Sequence, residues 1–148
     1  MGKLLISLAW TLGLVLGARS APAETLTLSL YPGWGRVSAT STEFPSDFRA
    51  RLLRVGKLLG RHSEVWAKAE LRPRLPYGLS KKKPGTPALT RAAAVEEILI
   101  EGGAPSTRLR VMPIRMTEGL PEEQLDLKLT GVTDPVLLRD ALERARKQ

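Results

Sequence analysis

From Thr25 onward the hydrophobic period of this chain switches repeatedly between two residues and about 3.6 residues. A chain patterned in that way buries its apolar side chains by laying helices on a sheet. Thr25 to Tyr31 alternates strictly: Leu26, Leu28 and Leu30 share one face, and Thr25, Thr27, Ser29 and Tyr31 the other. Pro32-Gly33-Trp34-Gly35 stops this strand, and a small, polar loop runs on to Thr42. A helix follows over Ser46 to Gly60, with Ser46 as N-cap, Asp47 in the first turn and Gly60 as C-cap. Phe48, Leu52, Val55 and Leu59 form its apolar stripe, and Arg49, Arg51, Arg54 and Lys57 its solvated side.

Ser63 to Arg72 alternates again, with Val65, Ala67, Ala69 and Leu71 opposite Trp66, Lys68, Glu70 and Arg72. Pro73 to Pro87 is too rich in proline for a helix or a central strand, which predicts a long exposed loop carrying Lys81, Lys82 and Lys83. A second helix spans Ala88 to Glu101 on a stripe of Ala88, Ala92, Val95 and Leu99, widened by Leu89 and Ile98, and ends at Gly102-Gly103. Leu109 to Met116 reads as a strand made irregular by Pro113, and Gln124 to Thr130 as a strand with Leu125, Leu127 and Leu129 inward. Asp134 and Pro135 open a terminal helix over 134–147 that ends in Arg144, Arg146 and Lys147, cations suited to its negative dipole end. The order β-α-β-α-β-β-α predicts an α/β domain, an α+β sandwich with the helices on one face of a mixed sheet.

Residues 1–23 read as a secretory signal that takes no part in the fold. Lys3 precedes an apolar run from Leu4 to Leu16, shorter than the roughly 20 residues that span a bilayer. Cleavage after Ala23 satisfies the Ala-x-Ala rule through Ala21, and cleavage after Ser20 a looser form of it. The competing reading is an uncleaved N-terminal anchor; with cleavage, residues 24–148 form a single periplasmic domain that is not an integral membrane protein. The chain contains no cysteine, which excludes disulfides, thiolate metal sites, a cysteine nucleophile and a lipidated cysteine anchor. The net charge of +8 favours anionic partners.

The segment Arg91-Ala92-Ala93-Ala94-Val95-Glu96-Glu97-Ile98-Leu99, the turn Glu101-Gly102-Gly103-Ala104 and the strand lead-in Pro105-Ser106-Thr107-Arg108-Leu109-Arg110-Val111 together resemble the OmpA-like C-terminal domain. That family shows an R-A-x-x-V-x-x-x-L helix, a glycine turn, and a small-Pro-small-basic-apolar approach to a strand. Phe48 to Leu71 fits its first helix and second strand, Val37-Ser38-Ala39-Thr40 its small-residue segment after strand one, and Leu125 to Leu129 its last strand. The likeness spans roughly residues 25–130 and leaves out the terminal helix. It implies a periplasmic domain that holds the peptide stem of peptidoglycan noncovalently. In the family a loop Asp holds the ammonium of diaminopimelate and the helix Arg its carboxylate; the Arg matches Arg91. The Asp does not carry over. Its place falls at or near Arg72, a charge reversal, and the loop from Pro73 to Pro87 holds no acidic residue. Glu70 is the nearest carboxylate in sequence that could replace it, and Arg72, Arg74 and Arg91 together would repel an ammonium group.

Arg91 reads either as a ligand clamp or as a surface arginine in a first helical turn, and a bound anion there would gain from the helix dipole. Arg72, Arg74 and Lys81 to Lys83 read either as an anion-binding loop or as a solvated charge run. Tyr77 is alone there as a stacking group, so nucleic acid is disfavoured. His62 is the one histidine, with no partner for a tetrahedral metal site or a catalytic triad, so no metal and no cofactor is expected. Glu96-Glu97 and Glu122-Glu123 are adjacent pairs whose members diverge, and they read as solubilising residues. Trp66 reads as a cover for the outer face of the sheet, and Trp34 as a candidate partner anchor. The terminal helix could dock on its own domain or on another protein. No residue pattern supports an enzyme. The sequence thus predicts a periplasmic, peptidoglycan-associating domain, whose partner is peptidoglycan or another anionic wall polymer. The alternative is a protein-interaction module of an envelope secretion or transfer complex, with an envelope protein as partner.

Overall fold

The computed structural model describes residues 23–38, 41–77 and 85–148. The leader read in residues 1–23, apart from Ala23, lies outside them, as do Ala39, Thr40 and the run Lys81, Lys82 and Lys83. Five strands and three α-helices follow in the order β1 (Glu24–Tyr31), α1 (Ser46–Arg61), β2 (Lys68–Pro76), α2 (Gly85–Gly102), β3 (Leu109–Val111), β4 (Arg115–Thr117), β5 (Gln124–Val132) and α3 (Pro135–Lys147). The sheet order is β1-β5-β2-β3, with β4 also pairing β2. β5 runs antiparallel to both β1 and β2, whereas β3 and β4 run parallel to β2. The sheet is therefore mixed and open, as the α/β reading predicts.

One face of the sheet is apolar and the other polar, the direct result of period-two alternation. Leu26, Leu30, Ala69, Leu71, Leu125, Leu127 and Leu129 join one core cluster with Phe48, Leu52, Val55 and Leu59 of α1, Ala92, Val95 and Leu99 of α2, and Leu138, Leu142 and Ala145 of α3. The terminal helix thus docks on its own domain. Its N-cap is the expected one: the Asp134 carboxylate accepts from the Leu137 N–H at 3.1 Å, with Pro135 following. From α1, Arg54 donates to the carbonyls of Ala145 (3.1 Å) and Gln148 (3.0 Å), tying down the far end of α3.

The crossing of α1 and α2 depends on glycine. A Cβ on Gly56 would land on the carbonyl oxygen of Leu99, one on Gly60 on that of Gly103, and one on Gly102 on that of Leu53. No other residue lets two helix backbones come so close. Gly103, at φ +128°, then turns the chain out of α2 in a conformation that disfavours a side chain.

Several expectations need correction. Ser46 is not the N-cap of α1. Pro45 holds that position without a side-chain cap, and Ser46 is the first helical residue. Gly60 is not the C-cap: the helix continues to Arg61, and His62 closes it by donating its N–H to Leu58 O at 2.9 Å. The strand expected at Ser63–Arg72 starts and ends later. Ser63–Val65 forms a 3₁₀ turn, and β2 continues through Pro73 to Pro76, residues read as loop. Proline is tolerated there because β2's parallel neighbour is broken: pairing with β3 stops at Leu71 and resumes with β4 at Arg74. That break at Met112–Ile114 is the irregularity expected at Pro113. Leu89, placed on the buried stripe, is 43% exposed.

Trp66 does not cover the outer face. It is 3% exposed in the core, and its indole N–H donates to Leu59 O at 3.0 Å. The Arg108 guanidinium lies 4.4 Å from its ring centroid and donates to the carbonyls of Ser63 and Trp66, at 2.8 Å each. Trp66 is thus buried and Ala67 exposed, the reverse of the expected alternation, before β2 begins at Lys68.

Candidate functional site

Ala88, Arg91, Ala92 and Val95 lie at helical spacing i, i+3, i+4 and i+7, so α2 carries Arg91 on its buried stripe rather than on its solvated side. The expectation of a surface arginine in a first turn fails on both counts. Arg91 is 2% exposed, and the helix begins at Gly85. Among the described residues it is the sole fully buried charged side chain.

A buried guanidinium requires partners for its donors. Arg91 Nε donates to Glu123 Oε2 at 2.8 Å, and Nη2 donates to Glu123 Oε1, so one carboxylate takes both teeth of the fork. Nη1 donates to the backbone carbonyls of Ser41 (2.9 Å) and Ser38 (3.3 Å). One arginine thereby joins the β1–α1 loop, α2 and the segment leading into β5. The hydrogen bonds that Arg91 donates to the Glu123 carboxylate hold the guanidinium above its ordinary pKa, against the opposing effect of burial.

Tyr31, the last residue of β1, completes the cluster at 1% exposure. Its ring packs edge-on against Phe48, with centroids 6.2 Å apart. Its hydroxyl is buried beside the Glu123 carboxylate, without a well-formed hydrogen bond. Burial first, and the nearby Glu123 charge second, push the phenol well above its usual range. Beside these residues is a cavity of about 100 Å³ lined by Tyr31, Pro32, Arg36, Val37, Glu122 and Glu123.

The other sequence candidates are elsewhere. In β2, Ala69, Leu71, Pro73 and Leu75 point into the core, so Glu70, Arg72 and Arg74 point to the helix-free face. They are not gathered with Arg91. Arg72 pairs with Glu70 at 3.2 Å; Arg74 pairs with Asp126 at 3.4 Å and donates to Thr117 Oγ1 at 3.4 Å. Across the strands Asp126 is opposite Arg72, and Lys128 opposite Glu70, so this face forms a lattice of alternating charge. A groove of about 760 Å³ crosses it, with Arg72, Arg74, Lys128 and Met112–Glu118 in its lining.

Among the described residues no group of three or more His, Cys, Asp or Glu side chains could hold a metal ion, and no helix is long and apolar enough to cross a membrane. Trp34, considered as a partner anchor, is 6% exposed within the core.

The fold is similar to that of the periplasmic domain of Helicobacter pylori MotB. That crystal structure (residues 78–256) matches with a TM-score of 0.51 and 17% sequence identity, over 85% of this chain and 88% of that one. No known protein-family profile matches the sequence, and no curated protein matches it. The likeness is one of fold, and its mixed α/β architecture is the one that the OmpA-like resemblance implies.

Glu123 is the site residue that sequence reasoning missed. Its place beside Glu122 suggests a solubilising residue, yet its side chain is 12% exposed and paired with Arg91. The available signal was an arginine on an apolar helical stripe, which demands a buried anion somewhere in the chain.

Proposed function

We propose that this protein is a non-enzymatic binding domain of the bacterial envelope, exported to the periplasm, that associates noncovalently with peptidoglycan. One observation carries the reading. Arg91 stands where the OmpA-like resemblance puts the arginine for the ligand's carboxylate, and it is built to hold a carboxylate through two parallel N–H···O bonds. The apolar leader-like run at Leu4–Leu16 and a fold shared with a domain described as periplasmic support the location. The net charge of +8 supports attraction to an anionic polymer. Lys81, Lys82 and Lys83, together with Arg72 and Arg74, would contribute to that attraction without specificity.

A second reading rests on a different fact. Glu123 already fills the Arg91 fork, and Arg72, where the resemblance expects an acidic residue, lies within β2 on the helix-free face. A domain altered in this way would suit a protein-interaction module of an envelope complex that has given up wall binding.

Cosedimentation with purified sacculi separates the readings. The wall reading predicts retention that persists when salt is raised to about 1 M, where the Debye length is roughly 3 Å and general charge attraction is screened. Retention at low salt alone means that only the net charge is at work. No retention at either salt level leaves the protein-partner reading.

A further inference from the structure

We infer that Glu123 is an internal stand-in for a ligand's carboxylate, and that an amino-acid end group reaches Arg91 by displacing it through the cavity beside Tyr31. The inference rests on the wall-binding reading for its choice of ligand, but its test is separate. Four observations carry it.

First, the Arg91 fork holds a carboxylate end-on, in a geometry that any free carboxylate can adopt. Exchanging one carboxylate for another keeps the buried guanidinium paired throughout. Second, Tyr31 lines the cavity, and its buried hydroxyl, beside the Glu123 carboxylate, lacks a well-formed hydrogen bond. A buried donor without an acceptor is costly, and a ligand oxygen arriving there would satisfy it. Third, the cavity of about 100 Å³ has room for a small polar end group, since a water molecule accounts for about 30 Å³ in the liquid.

Fourth, Glu123 belongs to neither helix nor strand. It precedes the first residue of β5, in an irregular segment after β4. Moving its side chain breaks no ladder hydrogen bond. Once displaced, it joins Glu122 at the cavity mouth, where both carboxylates face an entering ammonium. These two residues thus supply the anion missing at Arg72. Arg36, also at the mouth, makes no ion pair among the described residues and is a second resting place for the displaced carboxylate. The ligand class, a zwitterionic amino-acid end group with a free carboxylate, is the one the wall-binding reading supplies.

The experiment titrates free meso-diaminopimelate into wild-type protein, Glu123→Gln, and Glu123→Gln with Tyr31→Phe, following the Arg91 Nε–H resonance by NMR. Cadaverine, which lacks both carboxylates, is the control. Removing the internal competitor should tighten diaminopimelate binding roughly tenfold or more, because wild-type affinity is reduced by the fraction of time that Glu123 occupies the fork. Adding Tyr31→Phe should reverse part of that gain, and cadaverine should leave the Arg91 resonance unmoved. If Glu123→Gln does not fold, Glu123→Asp, one methylene too short to keep both bonds, carries the same test. Equal or weaker binding by the variant overturns the inference. Tightened binding without retention on sacculi sinks the wall reading alone; retention on sacculi with no effect of Glu123→Gln sinks the inference alone.

Discussion

Arg91 and Glu123 are 32 residues apart in sequence and share two hydrogen bonds, one from Nε at 2.8 Å and one from Nη2. The pair fixes the β1–α1 loop at the same time, through the carbonyls of Ser38 and Ser41. Three segments that make no regular secondary structure with one another are thus held at a single guanidinium.

Removing one partner of a buried pair strands the other. Arg91→Met should destabilise the fold by about 3–5 kcal/mol, and adding Glu123→Leu should recover part of the loss rather than increase it. Denaturant unfolding of both single variants and the double variant measures the coupling. Additive losses would mean that the two residues act independently.

Tyr31 sets an alkaline limit. Its phenol is raised above the usual value of about 10 by burial and by Glu123. A group whose folded pKa is raised contributes fully below its unfolded pKa, so stability should fall as pH rises past about 10. Tyr31→Phe should remove this slope. Because the buried hydroxyl lacks a well-formed hydrogen bond, the same variant should raise stability at neutral pH, by about 1 kcal/mol. Thermal melts from neutral to strongly alkaline pH check both points, and a large loss at neutral pH would show that the hydroxyl is bonded after all.

Gly56 sits where α1 meets α2. Alanine normally improves a helix by about 1 kcal/mol over glycine. Here the added Cβ would fall on the Leu99 carbonyl, so Gly56→Ala should destabilise by a net 1–3 kcal/mol, roughly the cost of overpacking a core. The measurement is denaturant unfolding, with Gly119→Ala as a comparison: Gly119 has open space around it but a φ of +78°, so its loss should come from backbone strain alone.

Much of this architecture is legible in sequence because local pattern and burial agree. β1, α1, β5 and α3 lie close to where periodicity puts them, and Asp134-Pro135 starts α3 as capping chemistry dictates. Misreadings arise where a distant residue overrides local pattern. Pro73 argues against a strand until the break between β3 and β4 leaves a gap beside it. Trp66 reads as surface cover, yet in the fold it is buried, with Arg108, far along the chain, stacked on its ring. Arg91 was visible as a site residue through a family resemblance, whereas its burial required Glu123, which no local spacing links to it. Glu70, Arg72 and Arg74 were grouped with Arg91 by the expected position of a loop. Extending β2 by four residues puts Arg74 in the strand beside Glu70 and Arg72, and period-two alternation turns all three to the helix-free face, away from Arg91.

The most direct test of the central claim, binding through a carboxylate at Arg91, is release of the wild-type protein from sacculi at high salt. Two soluble stem peptides are compared, one with a free diaminopimelate carboxylate and one with that carboxylate amidated. The account predicts that the free acid releases the protein and the amide does not, because only the free acid can take the Arg91 fork. Equal release by both peptides, or by neither, would contradict it.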